Sequence, residues 1–592
     1  MIVPMKKITV VTLDSAADAS VKSLRKMGTL HVQHEQLPKG EDINALQETI
    51  NLLNSAIDVL SAEEFSSQAS ATQEAKLSDW VSTAKHIIDL RIRLERLQEY
   101  AATLVNRINQ LEPWGDFQPQ KIKELAKKDI FLRFYQIPWK EMCLIPESVV
   151  VKKIFSLKGV TGCAIISQGN VKLPFNELPL PEMGLAQLRT RLNEDRKAIG
   201  ALKKEIAGFI PLRSDFVSRK KSLEAELELQ QAIRGMGRAG RLAYLTGYVP
   251  FDKLDLLTDL AKREKWGFLV SVPSEEDNVP TFIRNPRWIA LINPIFKFLE
   301  ILPGYRELDI SLPFLIFFSI FFGILIGDAG YGLVYLLLSF LIQRKIRKRV
   351  KQDSVFFLFY LLSLCAIIWG FLTGTFFGQE WVLKAGYKPL LPALTNEKGL
   401  QRFCFFLGAL HLSIAHGWRG ILKAPSLSAL GDLGWMCILW AAFFIAKTLI
   451  LGDAFPSFCL WLLISGVALI IIFTNPQKNI LKSAEEWIAW LVTLPFSFIS
   501  NFADVVSYIR LFAVGLAGVA IADAFNAMAA MIGKGNMLMI VLALFVALIG
   551  NTLGIVLGPV SVLVHGVRLN LLEFSGHMGL SWSGSPYKPL KE

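Results

Sequence analysis

Charge is what this sequence has least of. Of 592 residues only 19% are Asp, Glu, Lys or Arg, while 52% are hydrophobic; a soluble domain carries about a quarter charged residues. The shortage is local. Residues 1–300 are rich in Lys, Glu, Arg and Gln, whereas from Leu312 long apolar runs follow one another almost to the end. A wholly soluble chain is thereby excluded, and the sequence divides into a soluble half, 1–300, and a polytopic membrane half, 301–592.

Other absences narrow the function. The six cysteines (143, 163, 365, 404, 437 and 459) have no CxxC spacing and four lie in the apolar half, which reads as free thiols of a reducing compartment packed as small apolar groups. No GxxxxGK[ST] loop is present to cradle phosphates, so ATP hydrolysis by that route is excluded. The soluble half holds no catalytic set. His31 and His34 lack a partner at ligand spacing and read as surface residues, so neither metal nor cofactor is expected. "MIVPMKKITVVTLDSAAD" lacks the apolar core of a signal peptide, which keeps the soluble half in the cytoplasm. The net charge of +12 is dispersed, and its densest cluster, "RKIRKRVK" (344–351), falls between two apolar segments. It fits a cytoplasmic loop under the positive-inside bias better than a nucleic-acid surface.

The β-branched run "KKITVVTL" (6–13), a helical stretch to Lys26 and "GTLHVQHE" form a strand–helix–strand pattern. Ile87, Leu90, Leu94, Leu97, Ala101, Leu104, Ile108 and Leu111 make a heptad seam. A second helical run carries Leu188, Leu192, Ile199, Leu202 and Ile206, then Phe216, Leu223 and Leu227 after a break at Pro211. Strand signals, "FLRFYQIP" and "GVTGCAIIS", lie between the two runs. The expected fold is two α/β lobes joined by an antiparallel coiled-coil arm. The strand–turn–helix–strand stretch from Gly240 to Val272 belongs to one lobe or the other.

As one helix, 312–342 would be about 46 Å long against about 30 Å of hydrocarbon. Gly327, Asp328, Gly330 and Gly332 interrupt it, and a hairpin of two crossings turning at "GDAGYG" keeps the 344–351 loop on the cytoplasmic side. Further crossings are expected at 354–377, 401–422, 432–452, 457–474, 501–533 and 537–572, making eight helices, the last two long and tilted. "SAEEWIAWLVTLPFSF" (483–498) reads as a helix lying at the interface.

The last two crossings carry the strongly basic groups. Asp504, Ser507 and Arg510, three apart, share one side of a helix beside Tyr508, with Asp523 and Asn526 near the other end. Asn551, His565 and Arg568 precede Asn570, Glu573 and His577. A charge at the bilayer centre costs about 3 to 10 kcal/mol and survives with a partner or along a wet path. A plain internal pair of Arg510 with Asp504 or Asp523 would hold helices together. The richer polar stripe suits another task, stabilising the ionised form of a mobile carboxylate and blocking a direct leak. No such carboxylate stands out in this chain, which points to another subunit.

Here the sequence resembles subunit I, also called subunit a, of the V/A-type rotary ATPases. "VSYIRLFAVGLA" (506–517) is similar to the family's "ASYLRLWALSLA" segment, "FFGILIGDAGYG" to "FGxMFGDxGYG", "VHGVRLNLLEF" (564–574) to "VHxxRLxxxEF", and "PGYRELD" (303–309) to "PxYxExD". The likeness spans essentially the whole chain. It implies a non-catalytic stator whose membrane half faces a ring of proteolipid subunits carrying an essential carboxylate. Its soluble half would join peripheral stalk subunits and a central-stalk cap subunit, with lipid around the helices, in a prokaryotic inner membrane. By matching position Arg510 is the half-channel arginine and Arg568 the second basic residue toward the ring, with His565, Asn551, Asn570 and Glu573 near the paths. Gly518 and Gly558 stand where some members have histidine and glutamate, which leaves Asp523, Asn526 or Asn551 for the outer half-channel. The alternatives are a self-contained secondary transporter with a midplane site at the broken helix, and a membrane-anchored scaffold. The transported ion, H⁺ or Na⁺, is set by the ring.

Overall fold

The computed structural model describes residues 1–66, 79–146, 149–157, 159–169, 171, 173–346, 353–378, 386, 388–473 and 480–591. The 344–351 loop expected on the cytoplasmic side falls largely outside these residues, as do the side chains of 483–491. The chain forms two compact units, one of residues 1–8, 247–260 and 269–589, the other of 9–246, 261–268 and 590–592.

The β-branched run becomes strand β1 (Met5–Leu13), followed by helix α1 (Ala17–Met27) and strand β2 (His31–Gln33). Helix α1 stops at Gly28, whose left-handed φ of 64° lets its N–H bond the Leu24 carbonyl. Four helices then make the elongated part of the second unit: α2 (Glu41–Ser61), α3 (Trp80–Leu111), α4 (Leu185–Gly208) and α5 (Arg213–Arg234). Asp79 caps α3 by accepting from the amides of Val81 and Ser82 at 3.2 and 3.3 Å.

Seven of the eight heptad positions on α3 are buried and Leu97 is half-buried. The N-terminal part of that seam packs with Ile206, and its C-terminal part with Leu185 and Leu188. Helices α3 and α4 are therefore antiparallel, and pairs at each end agree: His86 with Glu205 at 3.2 Å, Arg189 with Glu112 at 2.6 Å. Helix α2 adds Leu53, Ala56 and Leu60 to the same core and pairs with α5 through Asp42 and Arg234 at 3.1 Å. So the two helical runs read from the sequence are joined by a third element that it did not single out.

Between α3 and α4, strands β3 (Ile130–Pro138), β4 (Val150–Leu157), β5 (Val160–Gln168) and β6 (Asn176–Leu178) make an antiparallel sheet of order β4-β5-β3-β6. After α5 come β7 (Gly237–Ala239), β8 (Leu242–Pro250), helix α6 (Leu254–Arg263) and β9 (Gly267–Ser271). Their strand order is β2-β8-β1-β9 with β7 on β8, so the 240–272 stretch shares a sheet with the N-terminal strands.

In the first unit the apolar half begins with α7 (Ser311–Ile326) and α8 (Ala329–Ile346), bent by 119° at Gly327–Asp328. The expected break is there, and both arms pack against α9 (Asp353–Thr373). Gly327 sits at φ 66°, a conformation open to glycine. The fully buried Asp328 carboxylate pins the turn by accepting from the amides of Tyr331 at 3.1 Å and Gly378 at 2.8 Å.

Then follow α10 (Glu397–Lys423), α11 (Ala429–Leu451), α12 (Phe458–Phe473), α13 (Ile480–Ser507), α14 (Ile509–Ile532) and α15 (Met537–Ser561). Among the described residues, Ser354–Thr373, Ala429–Leu451, Val492–Ile532 and Met537–Met578 are long and apolar enough to cross a membrane, the bent pair makes a possible fifth, and Phe458–Phe473 is apolar but shorter. The stretch 483–498, expected as a separate interfacial helix, instead belongs to the continuous helix α13, and the break comes later, at Tyr508.

A Phe-rich core built from α7, α10 and the last helices holds the unit together, with Phe314, Phe321, Phe405 and Phe574 fully buried. Pro559 lies inside α15 and has no N–H for the Ile555 carbonyl. The Tyr335 hydroxyl supplies that bond at 2.8 Å.

Candidate ion-path site

The break at Tyr508 sets the position of Arg510. In an unbroken helix the Leu511 amide would bond the Ser507 carbonyl; here it turns to Tyr508 at 3.0 Å. The Arg510 Nε donates to the Ser507 carbonyl at 2.9 Å in its place. Arg510 Nη2 then donates to Glu573 Oε1 at 2.7 Å. The same oxygen accepts from Ser507 Oγ at 3.4 Å and lies 3.7 Å from Arg568 Nε.

Glu573 reaches this point because the chain beyond α15 winds as two π-helical stretches, Val562–Gly566 and Leu569–Phe574. The wider π turn brings residues five apart, Arg568 and Glu573, to one side. Glu573 is buried, Arg510 is 24% exposed on its side chain and Arg568 54%.

Within the chain Arg510 thus pairs with Glu573, and not with Asp504 or Asp523. Asp504 faces His577, Oδ2 to Nε2 at 3.2 Å. His577 Nδ1 meets His416 Nε2 at 2.9 Å, and His416 Nδ1 lies 3.3 Å from Arg419 Nη2 and 3.4 Å from Asp432 Oδ1. Buried Asp432 also takes Arg419 Nε at 2.6 Å and Lys423 Nζ at 2.8 Å. Arg419, His416, His577 and Asp504 thus form one continuous row of hydrogen-bonding side chains. The row borders a cavity of about 450 Å³ whose lining includes His416, Arg419, Asn501, Asp504, Glu573 and His577.

His565 lines a second cavity, of about 310 Å³, together with Tyr331, Gly518, Gly554, Gly558 and Ser561. Gly518 and Gly558, the two positions where the resemblance departs from its pattern, thus open onto one space. Arg568 lies between His565 and Glu573 in sequence, at the join of the two π-helical stretches.

The remaining expected residues fall apart from this cluster. Asn526 Nδ2 donates to the Phe377 carbonyl at 2.7 Å, Asn551 Nδ2 to Asn526 Oδ1 at 3.1 Å, and Tyr331 Oη to Asn551 Oδ1 at 3.0 Å. They tie the last two helices to the turn at Asp328. Asp523 is exposed and has no hydrogen-bond or ion-pair partner among the described residues. Tyr508, expected on the path, is fully buried in the core, its hydroxyl 2.8 Å from His411 Nδ1. His411 is itself stacked between Phe317 and Phe574, with ring centroids 3.8 and 4.4 Å away. Asn570 is buried and donates to its own Gly566 carbonyl at 3.0 Å. No group of residues able to hold a metal ion occurs among the described residues.

The chain aligns over its full length, and that of the relative, with the V-type ATP synthase subunit I of Borreliella burgdorferi at 31% identity, and with subunit I 1 of Treponema pallidum at 29%. The chain belongs to the V-type ATP synthase subunit I family. The A-type ATP synthase subunit I of Methanocaldococcus jannaschii is 25% identical over 62% of the chain and 58% of that relative. A crystal structure of the cytoplasmic N-terminal domain of subunit I, described as a homologue of V-ATPase subunit a, is similar over 45% of the chain and all of that domain, at 14% identity and a TM-score of 0.21. No family profile matches. Membership makes the chain a non-catalytic membrane subunit of a rotary ATPase complex, and the self-contained secondary-transporter reading loses its ground.

The sequence reading passed over His416, Arg419 and Asp432. The signal was available: "HLSIAHGWRG" puts two histidines and an arginine into an apolar helix, and ionisable groups there call for a partner or a function.

Proposed function

We propose that the chain is the ion-conducting stator of its complex. Residues 1–300 form a cytoplasmic arm with two lobes that hold peripheral stalk subunits and a central-stalk cap subunit. Residues 301–592 sit in the cell inner membrane, in lipid, against a ring of proteolipid subunits. The cavity at Asp504 and His577 serves as the half-path on one side and the cavity at His565 as the other. An ion crosses by boarding a ring carboxylate in one, travelling with the ring, and leaving in the other. Arg510 stabilises the carboxylate while it is ionised and bars a direct leak, and Arg568 assists. Asn526, Asn551 and Asp523 line the approach at the far end of the last two helices. This couples ATP hydrolysis or synthesis to movement of H⁺ or Na⁺.

One observation carries the reading. Arg510 is fixed by Nε and Nη2, yet its Nη1 has no partner among the described residues and its side chain stays 24% exposed. Part of its fork is thereby left free for a visiting carboxylate. The test is Arg510→Ala in the assembled complex in sealed vesicles. Assembly with ATP turnover but without ATP-driven ion transport is expected, and full coupling would refute the reading.

A further inference from the structure

We infer that Glu573 is a resident carboxylate that competes for Arg510 with the carboxylate arriving on the ring, and so limits how long Arg510 holds each visitor. The inference rests on the stator reading above and adds to it a second, internal claimant for the same cation.

The geometry is that of a partial grip. Arginine binds a carboxylate most firmly through two parallel N–H bonds. Arg510 gives Glu573 only one, from Nη2, because its Nε is committed to the Ser507 carbonyl. Glu573 answers with one oxygen: Oε1 receives Arg510, Ser507 and the approach of Arg568, while Oε2 is buried without a partner. Glu573 therefore leaves one of its two oxygens unpaired, and Arg510 leaves its Nη1 hydrogens and one on Nη2 unused. A second carboxylate can settle on the open part of the guanidinium without first expelling Glu573. Once there it shares the positive charge with a neighbour of its own sign, which lowers the cost of leaving. With Glu573 absent, Arg510 would meet the visitor with its full charge and release it slowly. In a subunit free of its ring, the same carboxylate neutralises Arg510.

The test compares Glu573→Gln, Glu573→Asp and Arg510→Ala complexes in sealed vesicles, reading ATP turnover and ATP-driven ion uptake together. Glutamine keeps the size and loses the charge, so the maximal rate should fall roughly two- to fivefold, the range set by one partly exposed ion pair, with the ratio of ions to ATP unchanged. Aspartate keeps the charge at shorter reach and should lie between wild type and glutamine. An unchanged or faster rate in Glu573→Gln, with coupling lost in Arg510→Ala, overturns this inference alone. A changed ion-to-ATP ratio in Glu573→Gln also overturns it, since Glu573 would then belong to the barrier itself. Failure of both Glu573 variants to assemble assigns it a structural role and overturns it likewise. Coupled transport in Arg510→Ala removes the stator reading and this inference with it.

Discussion

Arg510 reaches Glu573 across 63 residues of sequence, Nη2 to Oε1 at 2.7 Å, while the Ser507 carbonyl holds its Nε at 2.9 Å. Two bonds made by different nitrogens of one planar group fix its direction as well as its position. A lysine here has a single ammonium on a flexible stem and cannot span both partners in a fixed plane. Arg510→Lys should therefore assemble and keep ATP turnover, yet lose ATP-driven ion uptake by roughly tenfold or more. Uptake within twofold of wild type would mean that charge alone suffices and that the fork is irrelevant.

His577 joins two helices by bonding both His416 and Asp504. Replacing it by alanine leaves His416 Nε2 without its partner and takes the imidazole away from Asp504 Oδ2. Each buried group left unsatisfied costs about 1 to 3 kcal/mol. His577→Ala should lower the detergent unfolding midpoint and slow ion uptake, and His577→Gln, which can keep one of the two bonds, should recover part of both. Wild-type uptake in the alanine variant would take the histidine row out of the path.

How much of this was legible from the sequence depended on distance along the chain. The strand–helix–strand start, the α3 seam and the break at Gly327 follow from local periodicity and backbone preference, and each stands where it was expected. Arg510 and Glu573 were both named as site residues, but their pairing was not, because helical spacing relates only residues of one element. Tyr508 was misjudged for the same reason. Its neighbours Ser507 and Arg510 face Glu573, but the helix break just there turns its ring toward His411 in the core. The 119° bend between α7 and α8 stands at the break that Gly327 and Asp328 marked in the sequence. The Asp432 cluster joins α10 to α11 and needed only the rule that membrane charges seek partners.

Tyr335 and Pro559 allow a closed thermodynamic test. The Tyr335 hydroxyl bonds the Ile555 carbonyl, the acceptor left open by Pro559 four residues on. Tyr335→Phe should destabilise the chain by about 1 to 2 kcal/mol. In a Pro559→Ala background the alanine amide can take the same carbonyl, so the added cost of Tyr335→Phe should drop to a few tenths of about 1 kcal/mol. Unfolding by denaturing detergent measures all four corners of the cycle. Equal costs in both backgrounds would show that the hydroxyl does not compensate for the proline.

Asp277 gives a pH dependence outside the apolar helices. Its Oδ1 accepts from Lys7 Nζ at 2.7 Å, and its Oδ2 from the Ser274 amide and hydroxyl at 2.7 and 2.9 Å. The Lys7 ammonium, helped by both Ser274 donors and opposed by burial, pulls the carboxyl down to about 2 from its ordinary 3.8. A carboxyl whose folded value lies below its unfolded one stabilises the fold above the unfolded value. It loses that contribution as the pH falls through the folded one. The window is therefore about pH 4 down to about pH 2. Asp277→Asn cannot titrate, so its stability should be lower than wild type at neutral pH and the difference should close across that window. The pair ties Met1–Ile8 to the segment before the membrane helices, so proteolysis near the N-terminus, followed along a pH series, should rise in wild type toward low pH and already be high at neutral pH in Asp277→Asn. A constant gap between the two proteins from neutral pH to about pH 2 would show that the Lys7–Asp277 pair does not contribute.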